Sequence, residues 1–288
     1  MKHDKLIVPP GKKVRLKDFD PAHTGKFHGK DEAQEKLATD IGRLAEYQNV
    51  LYAQDRYALL IIFQALDAAG KDSTIKHVMS GVDPLGTQVF SFKQPSAEEL
   101  DHDYLWRYHK AAPERGRIGI FNRSYYEEVL VLRVHPEILS RAKLPPGSIK
   151  KDIWQQRFEE INDFERYLVS NGVAVLKFFL NVSREEQRQR FLARLDTPEK
   201  NWKFSLTDAK ERGHWDDYQR AFEDVFNHTS TKWAPWYIIP ADHKWFTRAA
   251  VADIIISKLK TMDLKYPTLS KEHMKELLVA RELLKGEG

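Results

Sequence analysis

The residues best suited to chemistry lie between Phe63 and Asp72, where Phe63-Gln64-Ala65-Leu66-Asp67-Ala68-Ala69-Gly70-Lys71-Asp72 closes the apolar run that begins at Ala58. An apolar run, a turn of small residues, a Gly-Lys pair and an amphipathic continuation read as strand, loop and helix N-terminus. Such a loop aims backbone N–H groups and a first helical turn at an anion, and Lys71 adds a mobile positive charge that reaches outer phosphates. Against the pattern G-x-x-x-x-G-K-[ST], Ala65 stands where the first glycine falls and Asp72 where the Mg2+-binding hydroxyl falls. A carboxylate, Asp67, also stands inside the loop. Taken alone, the stretch has a bland alternative, an ordinary strand-turn-helix junction.

Two further clusters add charge. The buried stretch Gly116 to Phe121 ends in Asn122-Arg123-Ser124-Tyr125-Tyr126-Glu127-Glu128. Polar groups at the C-terminal end of a parallel strand face the ligand crevice of an open α/β sheet, which places Asn122 and Arg123 beside the loop. There Arg123 can clamp a transferring phosphoryl group with two donors; the competing reading is a helix-capping or surface arginine. Ser183-Arg184-Glu185-Glu186 has the form of a capping box opening a helix. That helix carries Arg188, Arg190 and Arg194 with no acid between them, and Lys200 and Lys203 follow on a segment broken by Pro198. A solvated face would interleave acids, so the pattern predicts a lid that closes on a polyanion.

The elements that must position these clusters follow from periodicity. Ala33, Leu37, Ile41, Leu44, Tyr47 and Leu51 predict an amphipathic helix over 31–54. Strands are expected near 58, 88, 117, 173 and 235, each followed by helical pattern, which implies one parallel sheet with helices on both faces. Helices are expected over 70–80, 149–170, 207–226 and 247–264, with a loop over 136–151 and a charged amphipathic helix over 270–284 that suits an oligomer contact. Residues 1–30, rich in Lys, His, Pro and Gly without sustained periodicity, read as a basic arm, a solvated tail in preference to an anion-contacting segment. The expected organisation is this arm, one domain over 31–265 with its lid at about 184–226, and a C-terminal tail over 266–288.

Composition bounds the class. The chain has 288 residues, of which 42% are hydrophobic and 11% aromatic, enough for a sizeable core without covalent staples. Cysteine is absent, which excludes disulfides, thiol nucleophiles and Cys-ligated metals and makes a reducing cytoplasm the expected setting. No stretch approaches ~20 apolar residues and the N-terminus has no signal-like core, so a soluble protein is expected, with no membrane partner. Lys and Arg number 46 against 42 Asp and Glu, an excess of 46 − 42 = 4, so placement of the bases matters more than their total.

Together the loop, the segment Phe121-Asn122-Arg123-Ser124-Tyr125-Tyr126 and the segment Asp196-Thr197-Pro198-Glu199-Lys200-Asn201-Trp202-Lys203 resemble the polyphosphate kinase 2 family. Ala234-Pro235-Trp236-Tyr237 and Asp242-His243-Lys244 continue the likeness, which is collinear from about 30 to 265. The resemblance implies a P-loop kinase fold related to thymidylate kinase, with inorganic polyphosphate as donor and Mg2+ (or Mn2+) as cofactor. It implies Asp67 as the metal ligand, with Asp67, Lys71 and Arg123 catalytic. Ala68, Gly70, Lys71, Arg190, Arg194, Lys200 and Lys203 would bind polyphosphate, and Asn122, Arg123 and Glu127 the nucleotide. Many members have Asp where this chain has Asn122; the Asn form resembles the class III branch, which accepts both AMP and ADP to make ADP and ATP, and the loss of one negative charge would ease approach of an anionic acceptor. The helix after Pro95 departs, with Leu100-Asp101-His102 where the ADP-specific branch tends to show Lys-Thr-Gln. The family further implies a homo-oligomer, dimer or tetramer.

An ionised nucleoside phosphate needs no protein base, so none of the eleven histidines is assigned to catalysis, and His77, His109, His214 and His228 read as packing or surface residues. Two other classes compete. An ATP-dependent nucleotide or small-molecule kinase would keep Ser or Thr after the lysine, and Asp72 argues against it. A catalytically silent nucleic-acid or polyanion-binding module would use the basic clusters with Trp202 and Trp215.

Overall fold

Strand β1 (Ala58–Gln64) is buried at all seven positions, as a strand covered on both faces must be. Its side chains divide with period two: Leu59, Ile61 and Phe63 enter one core, and Leu60 and Ile62 the other. A computed structural model of the chain describes residues 1–139, 143–145 and 147–287, apart from the side chains of Lys200 and Lys203. In it β1 is the centre of a five-stranded parallel sheet with β2 (Thr87–Ser91), β3 (Ile118–Asn122), β4 (Val173–Asn181) and β5 (Trp236–Pro240), in the order β2-β3-β1-β4-β5. All five expected strands are present.

The helices, in chain order, are α1 (Lys30–Gln54), α2 (Lys71–Val78), α3 (Ala97–Leu100), α4 (Trp106–Lys110), α5 (Glu127–Val134), α6 (Pro136–Leu139), α7 (Ile153–Ser170), α8 (Arg184–Leu195), α9 (Leu206–Glu211), α10 (Trp215–Thr229), α11 (Lys244–Lys260) and α12 (Lys271–Lys285). Helices α1, α2 and α11 pack together on one face, and α5, α7 and α10 on the other. The sheet reverses its winding at β1, with β3 on one side and β4 on the other, so the ligand crevice belongs at the C-terminal ends of β1 and β3.

Two expectations change in detail. The single helix expected over 207–226 is two, α9 and α10, separated by a 3-10 turn Arg212–His214 that contains Gly213, a weak helix former. The loop expected over 136–151 opens with α6, which starts on Pro136, a residue preset for a first helical turn. Part of that loop, including Pro146, lies outside the described residues. No helix among the described residues is long and apolar enough to cross a membrane.

The N-terminal arm is not a solvated tail. Leu6, Val8 and Leu16 are buried in the two cores, while Lys12, Lys13, Arg15, Lys17 and Lys26 face solvent. Ile7 forms an antiparallel bridge with Tyr237, Val8 N donates to Trp236 O at 2.8 Å and Ile238 N donates to Leu6 O at 2.7 Å. The arm thus covers the open edge of β5, a site that would otherwise invite strand pairing. It continues onto α10, where Val14 N donates to Asn227 Oδ1 and Leu16 N to Glu223 Oε1. Three buried aliphatic side chains at about 1.5–3 kcal/mol each make the arm part of the fold. Deletion of residues 1–19 is therefore expected to lower Tm by roughly 10 °C in a thermal melt; a shift under about 2 °C would restore the solvated tail.

Candidate functional site

The loop between β1 and α2 is built from strained and small residues. Ala68 has φ +60° and Gly70, the residue that caps α2, has φ +105°. A non-glycine residue in the left-handed region stores strain that the surroundings must hold. Gln187 Nε2 of α8 donates to Asp67 O at 2.9 Å, and Arg190 Nη1 donates to Ala69 O at 2.8 Å and Ala68 O at 3.2 Å. Arg190 also donates to the carbonyls of Ala241 and Asp242 and pairs with Glu186 at 2.7 Å. Gln187 and Arg190 thus hold the carbonyls of Asp67, Ala68 and Ala69 toward α8. The first-turn N–H groups of α2 have no acceptors within the helix, which leaves them available to an anion.

Lys71, the first residue of α2, is only 8% exposed, and its ammonium donates to Ala65 O at 2.9 Å across the loop. Burial pulls its pKa below the usual lysine value, and the carboxylates of Asp67, Glu127 and Asp72 oppose that shift. Arg123 follows β3 directly and has φ +66°; its N–H donates to Phe63 O at 3.0 Å, carrying the β1–β3 pairing one residue beyond the strand. Its guanidinium donates to Asp67 Oδ1 at 3.1 Å and lies 3.8 Å from Glu127 Oε2. Burial pushes the Glu127 carboxyl above its usual pKa, with Arg123 and Lys71 opposing. Asn122 Nδ2 donates to Asp72 Oδ1 at 2.8 Å, so two departures from common motifs are partners in one hydrogen bond. An aspartate at 122 would instead set two carboxylates side by side.

The crevice opens into a cavity of about 350 Å3. Asp67, Arg123 and Glu127 line it together with the apolar side chains of Leu130, Val131 and Ile138, and Asp208, Glu211 and Arg212 add further charge. Trp215, Tyr218 and Phe222 of α10 close the other side. These aromatic residues, spaced at three and four, carry no motif, and only Trp215 stands out in the sequence, as a residue that would suit a nucleic-acid groove. His135 and Glu211 were equally silent; His135 Nε2 lies 3.0 Å from Glu211 Oε2, which also accepts from Tyr218 Oη at 2.9 Å. The four histidines set aside in the sequence do pack: His77 on Ser73 O, His109 against Phe164 and Tyr167, His214 against His135 and His228 against Phe158.

The site residues expected from sequence thus divide by position. Asp67, Lys71, Asn122, Arg123 and Glu127 form one cluster with the Ala68–Gly70 loop. Arg190 sits beneath that loop with its donors on carbonyls. Arg194 lies 4.0 Å from Oδ2 of Asp208, a residue of the cavity lining, while Arg188 pairs with Glu185 in solvent. The acids absent between these arginines are supplied one turn earlier, by Glu185 and Glu186. Ser183 caps α8 by accepting from Glu186 N, but Glu186 turns to Arg190, so half of the expected capping box forms. The side chains of Lys200 and Lys203 lie outside the described residues. Among the described residues no three His, Asp or Glu side chains form a metal cluster. Mg2+ nevertheless suits a single carboxylate, because it keeps waters and takes its other ligands from substrate phosphates. Asp67, 35% exposed and facing the cavity, offers that donor.

Sheet order, loop and arginine define an α/β phosphotransferase of the P-loop kinase type. The sequence profile of the family described as Polyphosphate kinase 2 (PPK2) matches residues 28–267. The chain belongs to this family, and is an enzyme of the polyphosphate kinase 2 kind. It is 48% identical over 285 residues to the ADP-polyphosphate phosphotransferase of Rhodopseudomonas palustris, a match covering 99% of both chains. It is 44% identical over 264 residues to the AMP/ADP-polyphosphate phosphotransferase of Meiothermus ruber, covering 91% of this chain and 95% of the other. Among solved structures, polyphosphate kinase 2 from Arthrobacter aurescens TC1 superposes with a TM-score of 0.86 at 38% identity, over 96% of each chain.

Proposed function

We propose that the protein transfers the terminal phosphoryl group of inorganic polyphosphate to AMP and ADP, making ADP and ATP, with Mg2+. The observation that carries this reading is the convergence of Asp67, Lys71 and Arg123 at the C-terminal ends of β1 and β3, on a strained loop above the N-terminus of α2. The names of the two relatives, one acting on ADP and the other on AMP and ADP, support the acceptor range.

Donor and acceptor are both polyanions, so transfer requires cations placed along the line between donor and acceptor oxygens. In this reading the N–H groups of the loop and the ammonium of Lys71 hold the end of the donor chain. Arg123, free to move from Asp67, takes the transferring phosphoryl with two donors. Asp67 would hold Mg2+, which supplies charge neutralisation on the phosphate oxygens. Asn122 and Glu127 face the acceptor, whose base enters the cavity beside Leu130, Val131 and Ile138. Arg194 would meet the donor's path, and Arg190 contributes its charge from below while fixing the loop. The same placement serves the reverse reaction.

Incubation of ADP, and separately of AMP, with Mg2+ and long-chain polyphosphate in the absence of any other nucleotide donor is expected to yield ATP, with ADP preceding it when AMP is supplied. Product analysis by chromatography checks both steps, and a lack of ATP from either acceptor would overturn the proposal.

A further inference from the structure

The turn that presents Arg123 is fastened from below by charged groups that no solvent reaches. Ser124, Tyr125 and Tyr126 are each 0% exposed. Ser124 Oγ accepts from Gln64 Nε2 at 3.2 Å and from Tyr126 N at 3.3 Å. Both phenols donate to one carboxylate oxygen, Glu165 Oε1 of α7, Tyr125 at 2.9 Å and Tyr126 at 2.8 Å. The other oxygen, Glu165 Oε2, accepts from Lys177 Nζ of β4 at 2.6 Å. Lys177 spends its remaining donors on Tyr126 Oη at 2.9 Å and Thr229 O at 2.7 Å. Glu165 and Lys177 are themselves 0% exposed.

Such a buried pair is an expensive way to hold a core together. Removing two charges from water costs much of what their attraction returns, and apolar residues of the same volume often stabilise as well or better. Burial does pull the Lys177 ammonium below its usual pKa, with Glu165 opposing, and holds both phenols well above theirs. What the network supplies that apolar packing cannot is direction. Two hydroxyls on one oxygen allow a single placement of residues 125 and 126, and these lie two and three positions after Arg123. Upstream, the same residue is fixed by its N–H on Phe63 O. Arg123 is therefore held at φ +66° from both sides, although an isolated arginine would leave that conformation.

We propose that Tyr125 and Tyr126, oriented by the buried Glu165–Lys177 pair, are positioning residues that act through Arg123 to set the rate of phosphoryl transfer. This rests on the phosphate-binding role of Arg123 given above. The test is a double-mutant cycle in polyphosphate-dependent ATP formation from ADP. Tyr125→Phe/Tyr126→Phe in the otherwise native protein is expected to lower kcat about 20-fold while the polyphosphate KM stays within about twofold. In the Arg123→Ala background the same pair of changes is expected to alter the residual kcat by less than about twofold, because the residue acted upon is gone. An equal loss in both backgrounds would assign the pair to general structure and overturn the inference, as would no loss in the native background. Should the double variant fail to fold, Tyr125→Phe alone leaves every partner of Lys177 in place and is read in the same two backgrounds. Native protein is assayed in parallel: if it forms no ATP the functional reading falls, whereas native activity with an unaffected phenylalanine variant removes this inference alone.

Discussion

Lys71→Ala is expected to lower kcat for polyphosphate-dependent ATP formation by about 10³-fold while leaving Tm nearly unchanged. The magnitude follows from the setting of the ammonium. It lies in a site that excludes most water, with Asp67, Glu127 and Asp72 near it and the carbonyl of Ala65 as its resting partner at 2.9 Å. A preorganised cation in such surroundings keeps most of its interaction with developing negative charge, and roughly 4 kcal/mol of lost stabilisation corresponds to the expected fall. The fold loses little, because alanine is a good helix former at the first position of α2 and Lys71 belongs to neither apolar core. Lys71→Arg is expected to recover less than a tenth of the lost rate, since a planar guanidinium does not fit where the 8% exposed ammonium bends over the loop. Initial rates with thermal melts on the same samples decide the matter. Turnover within tenfold of the native protein would remove Lys71 from the transfer step.

What could be read from the sequence follows from how local each signal is. The strands were legible because a strand covered on both faces is a continuous apolar run, as β1 is, and the sheet followed from their alternation with helices. The loop and Arg123 were legible because glycine, lysine and arginine at the ends of such runs have few other uses. The arm is hard to read in sequence because Leu6-Ile7-Val8 is only three residues long and Leu16 is separated from it by Pro9-Pro10-Gly11 and a basic stretch. Only the open edge of β5, more than 200 residues away, gives them a place to go. Lys177 gives no signal in sequence for a related reason: one lysine in the most apolar strand of the chain has no local partner, and Glu165, Tyr126 and Thr229 come from other elements. The lid arginines show the limit of reading charge by adjacency. An unbroken run of bases suggested a free cationic face, yet Arg190 is engaged by loop carbonyls and Arg188 by an acid one turn earlier. Helical geometry had already placed those acids within reach.

Asp67→Ala is expected to lower turnover by about 10²–10³-fold, with no recovery at excess Mg2+. The carboxylate has two neighbours to serve, and the size of the loss alone does not separate them. It accepts from Arg123 at 3.1 Å, so its removal also releases the guanidinium; and it is the donor that a phosphate-held Mg2+ would take from the protein. Asp67→Asn separates the roles, because an amide oxygen still accepts from Arg123 but brings no negative charge to a cation. If Asp67 holds the metal, asparagine is expected to be nearly as damaging as alanine. If it only orients Arg123, asparagine should keep most of the activity. Stability is not a confounding term: the two side chains are 35% and 42% exposed, and an ion pair so open to solvent contributes about 0–1 kcal/mol. Metal titrations of turnover for both variants make the comparison. Native-like rates for Asp67→Asn at saturating Mg2+ would remove the metal from this residue and leave Lys71, Arg123 and the α2 N-terminus to neutralise the donor chain.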